Sequence, residues 1–222
     1  DLLEEWVRRG IREVTIRING ADTEWHWVLD KPASTYLMAA VTGDYVVLQD
    51  SWRRTTPVGY WTYPDSVGAT WRGMGKTPRM MELFSTALRI EYPWAKYDQA
   101  NAPDYIFGGM ENVTATIQAD DAILHPGWAA PHAGSDELVS HELAHQWFGN
   151  LVTARHWSDI WLNEGFATFM EQYWMEVEHG RDGGALHRLT THEETIAADR
   201  AARRPLVYDR WRTDPLELFF SG

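Results

Sequence analysis

The chain of 222 residues contains no cysteine, which removes a disulfide framework, a thiolate zinc site, an iron–sulfur cluster and a cysteine nucleophile at once. It is also poor in positive charge. Twenty Lys and Arg stand against 32 Asp and Glu, for a formal net charge of -12. That deficit argues against non-specific nucleic-acid binding, which needs cations to displace counterions from phosphates. Long apolar runs are missing as well. The longest stretch free of Asp, Glu, Lys and Arg is Ala122 to Ser135, interrupted by Pro126, Gly127, Pro131 and Gly134. No membrane-spanning helix fits there. The chain opens at Asp1 without a signal-like segment and stops at Ser221-Gly222, straight after Leu218-Phe219-Phe220. Both ends read as cuts within a longer chain. The compartment stays open, with the cytoplasm favoured.

What is present is apolar and aromatic enough for a sizeable core, with 13 tryptophans. The first 64 residues read as strands of an antiparallel sheet. Val14, Ile16 and Ile18 alternate with polar residues before the turn dipeptide Asn19-Gly20, and Trp25, Trp27 and Leu29 suit a return strand. Thr35 to Val41, Tyr45 to Leu48 and Gly59 to Tyr63 continue the pattern. Thr77-Pro78 then predicts a helix opening, with threonine as cap and proline at the first helical position. Met81, Phe84 and Leu88 follow at helical spacing. Tyr105 to Ala119 reads as extended, with Val113, Ala115 and Ile117 on one face. From Ser135 onward helices dominate: one capped by Ser135, one from Ser158-Asp159 to near Gly180, one over Gly184 to Ala201, and one opening at Asp214-Pro215. Strands followed by helices make an α+β class.

The most informative segment is His141-Glu142-Leu143-Ala144-His145. Residues four apart share a helix face, so both imidazoles can bind one metal ion with Glu142 beside them. Neutral imidazoles plus a carboxylate suit one Zn2+ ion, leaving a position for water, and Glu142 is then the candidate general base. Glu164 follows with eighteen residues between it and His145, on the next predicted helix, and completes a candidate ligand set of His141, His145 and Glu164. Asp159 and Glu171 are candidates to accept from the other ring nitrogens, each weighed against a cap or a surface charge. His125, His132, His156, His179, His187 and His192 lack ligand spacing and read as non-catalytic, and the tryptophans as core.

H-E-L-A-H followed by Asn163-Glu164-Gly165 resembles the gluzincin metallopeptidases. Gly108-Gly109-Met110-Glu111-Asn112 is similar to the G-x-M-E-N signature of the aminopeptidase N family, and Gln146 to Asn150 and Pro93 to Asp98 also look like it. The resemblance implies a thermolysin-like zinc peptidase domain, a mixed sheet and then the zinc-bearing helices, over 51–222 and C-terminally incomplete. Residues 1–50 would be the last strands of a preceding β-domain. It implies a zinc aminopeptidase acting on peptides with a free N-terminus. Glu111 would pair with the substrate ammonium, and Gly108, Gly109, Met110 and Asn112 would complete the substrate-binding segment. Phe107 would line the pocket for the first side chain, or else be core. The implied partner is the rest of a longer enzyme. Family members are expected to stabilise the oxyanion with a tyrosine in a stretch like H-x-Y-x-K-G. This sequence has no such stretch, and Tyr208 lies outside any such motif, so weak turnover with retained zinc binding is the expectation. Two alternatives stay open: an epoxide hydrolase and aminopeptidase of the leukotriene-hydrolase type, and a non-catalytic peptidase-like binding domain.

Overall fold

A computed structural model describes residues 15–19, 22–26, 28–124, 134–201, 203 and 205–207. The backbone divides into two compact units, 1–38 and 39–222. In the first, β1 (Thr15–Asn19) and β2 (Asp22–His26) form an antiparallel hairpin in which Ile16 pairs with Trp25 and Asn19 with Asp22. Thr35 to Val41, expected as a strand, instead holds a short 3-10 turn over Thr35–Leu37. The expected domain boundary at residue 50 falls inside β3 (Val46–Trp52) of the second unit.

The second unit is built on a five-stranded sheet in the order β3-β4-β5-β7-β6. β3 and β4 (Thr56–Thr62) are antiparallel, as their β-branched and aromatic residues between turn signals lead one to expect. β4 and β5 (Tyr97–Ala102) are parallel, as are β5 and β7 (Ala115–Ala119), while the two-residue β6 (Gly109–Met110) runs antiparallel to β7 at the edge. The sheet is therefore mixed, and the extended reading of 105–119 breaks at a turn where Thr114 has a φ of 63°. The β3–β4 turn places Arg53 and Arg54 at positive φ. Arg53 is tied there by hydrogen bonds to Glu82 and Glu91 and by its place over the Trp52 ring.

Parallel strands require crossovers, and two helices make the one between β4 and β5. They are α1 (Val67–Met74) and α2 (Thr77–Leu88). α2 opens one residue earlier than expected. Lys76 takes the cap position, and the Thr77 hydroxyl donates to the Met74 carbonyl instead of capping. Met80, Met81 and Phe84 of α2, Val58 and Tyr60 of β4, Tyr97 of β5, and Leu143 and Trp147 beyond form a fully or nearly fully buried core. α3 (Asp120–Leu124) follows β7 directly. The helix α4 (Gly134–Ala144), which carries His141 and Glu142, opens one residue before Ser135, and α5 (Trp161–Ala201) is broken at Gly180. The helix expected at Asp214-Pro215, together with Tyr208, His125 and His132, lies outside the described residues.

The central strand β5 is unusual in burying amides. Asn101 Nδ2 donates to Thr62 Oγ1 and Thr70 Oγ1 at 3.0 and 3.1 Å, and those hydroxyls lie 2.6 Å apart. One side chain thus joins β5, β4 and α1. Gln99 Nε2 donates to Thr77 Oγ1 and Gln99 Oε1 accepts from Gln118 Nε2, joining β5 to α2 and β7. Removing such a partner strands buried hydroxyls at roughly 1–3 kcal/mol. Asn101→Ala is therefore expected to lower the unfolding free energy by about 2 kcal/mol in urea denaturation, and a change below about 0.5 kcal/mol would show the network to be dispensable.

Candidate metal centre

The C-terminal turn of α4 and the first turn of α5 meet at one point. His141 is in the last turn of α4, and His145 follows its final residue, its N–H still bonded to the His141 carbonyl at 3.3 Å. Glu164 sits in the first turn of α5. The chain between them runs through a tight turn in which Gly149 has a φ of 119°, with a Cβ there landing 3.2 Å from His145 Nδ1. A 3-10 turn over Trp157–Asp159 leads into α5.

Three donor atoms converge. His141 Nε2 and His145 Nε2 are 3.1 Å apart, and Glu164 Oε2 lies 3.4 Å from the first and 3.3 Å from the second. The opposite ring nitrogens have fixed partners. His145 Nδ1 donates to the Phe148 carbonyl at 2.9 Å, and His141 Nδ1 faces Glu171 Oε2 at 3.0 Å. The Nδ1 proton of each ring is thereby committed, so that in its neutral form each ring points an Nε2 lone pair inward, toward the Glu164 carboxylate. Lone pairs this close repel unless a proton or a metal ion lies among them. Zinc with bonds of about 2.0–2.1 Å to three corners of a tetrahedron needs ligand atoms about 3.3–3.4 Å apart, and this set fits.

Burial and charge explain the protonation behaviour. Burial pushes the Glu142 carboxyl up to about 7, although both histidines pull it down. Glu142 Oε2 is buried and has no hydrogen-bond partner among the described residues. His145 is raised to about 9: burial opposes its charge, but the Glu164 and Glu111 carboxylates outweigh that. Glu164 is held well below the ordinary carboxylate range, since both histidines outweigh its burial. His145 is nearly sealed at 2% side-chain exposure while Glu164 keeps 31%, so the centre opens on the Glu164 side.

The Gly108 to Asn112 segment lies against this centre. Carboxylate oxygens of Glu111 and Glu142 and a ring nitrogen of His145 form a second group within 4.8 Å of one another. The two glycines serve different ends. Gly108 adopts a φ of 75°, and a Cβ on Gly109 would fall 2.3 Å from Glu142 Oε1. Met110 is the last residue of β6, and Asn112 is buried beside Glu111. Phe107 is 40% exposed, not core, with its ring 5.9 Å from that of Tyr105. Tyr105 is raised by burial and by the charges of Glu142 and Glu111.

Two residues beyond the motif bind the segment in place. Gln146 Nε2 and Asn150 Nδ2 both donate to the Glu111 carbonyl, at 3.2 and 2.8 Å, and Gln146 Oε1 accepts the Thr114 N–H. Sequence reasoning assigned neither a role; their signal was the family resemblance of the Gln146 to Asn150 stretch beside His145. Of the two acids weighed as outer partners, Glu171 reaches His141, whereas Asp159 lies in the 3-10 turn with its backbone N–H on the His156 carbonyl. Burial alone would raise Glu171, but the hydrogen bonds from His141 and His187 hold it below its ordinary range. His187, read as non-catalytic, thus sits one step outside the centre.

With this geometry in hand, comparison with known proteins is informative. Residues 72–213 match the family described as Peptidase family M1 domain. Endoplasmic reticulum aminopeptidase 1 of Mus musculus is 36% identical over 159 residues, covering 70% of this chain and 17% of that protein. Endoplasmic reticulum aminopeptidase 2 of Bos taurus is 34% identical over 162 residues, 71% of this chain and 17% of that protein. Aminopeptidase N of Oryctolagus cuniculus is 32% identical over 158 residues, 69% and 16% respectively. The chain spans about a sixth of the length of these relatives. With a family match over more than half its length, carrying both histidines, Glu142 and Glu164, the chain belongs to peptidase family M1.

Proposed function

We propose that this chain carries the zinc centre of an aminopeptidase with a thermolysin-like catalytic unit, acting on peptides with a free N-terminus. The observation that carries the reading is the convergence of His141 Nε2, His145 Nε2 and Glu164 Oε2 at 3.1–3.4 Å, with both Nδ1 positions already partnered. A zinc ion held there supplies a Lewis acid that polarises the scissile carbonyl and acidifies water.

The remaining work falls to the chain's own groups. Glu142, raised toward neutrality by burial, is matched to take a proton from water and return it to the leaving amine. Glu111 is buried and its backbone is held by Gln146 and Asn150, so its carboxylate has a defined place from which to pair with a substrate ammonium. β6 is the outermost strand of the sheet, and an extended peptide can add beside Gly109 and Met110 by main-chain hydrogen bonds. Substrate N-terminus, first peptide bond and general base would then lie in order along one edge. The names of the relatives, two endoplasmic reticulum aminopeptidases and aminopeptidase N, support the exopeptidase reading over an endopeptidase one.

Metal analysis by mass spectrometry is expected to find one zinc per wild-type chain. His141→Ala, His145→Ala and Glu164→Ala should each weaken zinc binding on the order of a hundredfold or more, and chelation should lower the melting temperature of wild type alone. A wild-type chain without zinc under metal-replete conditions would overturn the reading. Glu142→Gln should keep its zinc, and in the longer enzyme should lose on the order of a thousandfold in kcat. Unchanged kcat would remove Glu142 as the base. The isolated 222-residue chain, which has no H-x-Y-x-K-G stretch, should turn over aminoacyl-p-nitroanilide weakly or not at all, and robust turnover would contradict this.

A further inference from the structure

Glu171 and His187 are sixteen residues apart on α5, and an unbroken helix would separate them by about 24 Å. They touch because Gly180 leaves helical geometry at φ 76° and ψ 176° and the chain reverses. The returning half packs closely. A Cβ on Gly184 would lie 2.6 Å from the Glu176 Cβ, so the hairpin closes only without a side chain there. The reversal carries His187 back alongside Glu171.

His187 is placed between two acids. Its Nε2 lies 2.8 Å from Glu171 Oε1, and its Nδ1 lies 3.3 Å from Glu137 Oε1. The other Glu171 oxygen, Oε2, is the one that meets His141 Nδ1. Glu137 stands one helical turn before His141 on α4. The polar chain thus starts and ends on α4, passing through both halves of α5. Glu171 and His187 are largely buried, with side-chain exposures of 13% and 11%. His187 is raised above its ordinary range, first by the hydrogen bond to Glu171 and then by the charges of Glu171 and Glu137, with burial opposing, which suits a ring that donates from both nitrogens.

We propose that His187 is a positioning residue for the metal centre. By holding Glu171 Oε1 it fixes the carboxylate whose Oε2 takes the Nδ1 proton of His141, and so keeps His141 Nε2 directed at His145 Nε2 and Glu164 Oε2. This inference rests on the zinc reading above. A carboxylate has rotational freedom of its own, and this one borders a cavity of about 390 Å³ whose lining includes Glu137, Glu194 and His187 together with the apolar Met175 and Leu186. Once the His187 ring is removed, water reaches Glu171 and competes with His141 for it.

The test is the zinc dissociation constant of the 222-residue chain, by chelator competition, for wild type, His187→Ala, Glu171→Gln and the double variant. Partners of metal-bound histidines are commonly worth about 10- to 100-fold in metal affinity, the range expected for Glu171→Gln. His187 acts one bond further out, so His187→Ala should weaken zinc roughly 3- to 10-fold and shift the visible bands of the Co2+-substituted protein. The double variant should fall within about twofold of Glu171→Gln, because the effect passes through that carboxylate. His187→Leu, which keeps bulk without a donor, carries the same expectation should the alanine variant not fold. His187→Gln, which keeps an N–H, should recover most of the affinity. A purely structural staple would lower the melting temperature of the metal-free chain and leave the zinc constant alone. Wild-type zinc affinity in both His187→Ala and His187→Leu, or a His187 effect undiminished beside Glu171→Gln, overturns the proposal while the zinc reading stands. A wild-type chain that takes up no zinc overturns the zinc reading itself.

Discussion

Two imidazole nitrogens held 3.1 Å apart, with the Nδ1 of each ring committed to a partner on its far side, form a pair that needs a positive charge between them, whether a proton or a metal ion. With Glu164 added, three electron-rich atoms share a volume that suits one cation. The fold reaches this by bringing opposite helix ends together. The carbonyl end of α4 carries the histidines, and the partial negative charge of such an end favours a cation nearby. The amide end of α5 carries Glu164, where an acid is stabilised by the same field in reverse. Each helix end thus favours the charge that it contributes, and the convergence sets those charges against one another.

The substrate-side segment is fixed to this junction by directional bonds more than by apolar packing. Gln146 directly follows His145, and it reaches both the Glu111 carbonyl and the Thr114 N–H. Its own carbonyl accepts from Trp94 Nε1. Asn150 adds a second donor to the same Glu111 carbonyl. A displacement of the edge strand would therefore have to break hydrogen bonds anchored one residue from His145. Gly109 completes the coupling from the other side, because the room a methyl group would take is occupied by the Glu142 carboxylate. Glu111, Glu142 and the three converging donors form one mechanical unit, although they come from three stretches of the chain.

How much of this was legible depended on how local each feature was. The His141–Glu142–His145 pattern is an i, i+4 relation on one helix, so spacing alone placed two donors on one face. Glu164 was reachable through its spacing from His145 and the family resemblance of Asn163-Glu164-Gly165, although residues 145–160 separate α4 from α5. The hairpin of β3 and β4 showed in its β-branched and aromatic residues between turn signals. β5 did not, since Tyr97-Asp98-Gln99-Ala100-Asn101-Ala102 has no β-branched run, and its strand character comes from two parallel neighbours and from amides that find Thr62, Thr70, Thr77 and Gln118. α1 was hidden for a related reason. Gly68 and Gly73 weaken its intrinsic propensity, and at Gly73 a Cβ would come within 3.0 Å of Ile123. Thr35 to Val41 erred in the other direction, with strand-forming residues that have no ladder to join. His187 was least legible of all, because its relation to Glu171 exists only through the reversal at Gly180.

The choice of buried polar groups shows what these arrangements protect. Among the described residues, the buried acids and histidines are Glu111, Asp136, Glu142 and His145, and no lysine or arginine is buried with them. Three of the four are at the centre, and Asp136 is paired with Lys76 at 2.7 Å. Elsewhere the interior satisfies its polar needs with amides and hydroxyls. Neutral donors hold a backbone carbonyl by directed hydrogen bonds while casting only a weak field at a distance. A lysine in place of Gln146 would stabilise ionised Glu142 and draw its pKa down, away from the range useful for proton transfer near neutrality. With neutral side chains scaffolding the centre, the acidity of Glu142 is set by burial, which raises it, against the charges of His141 and His145, which lower it. The other charges nearby are those of Glu111 and Glu164.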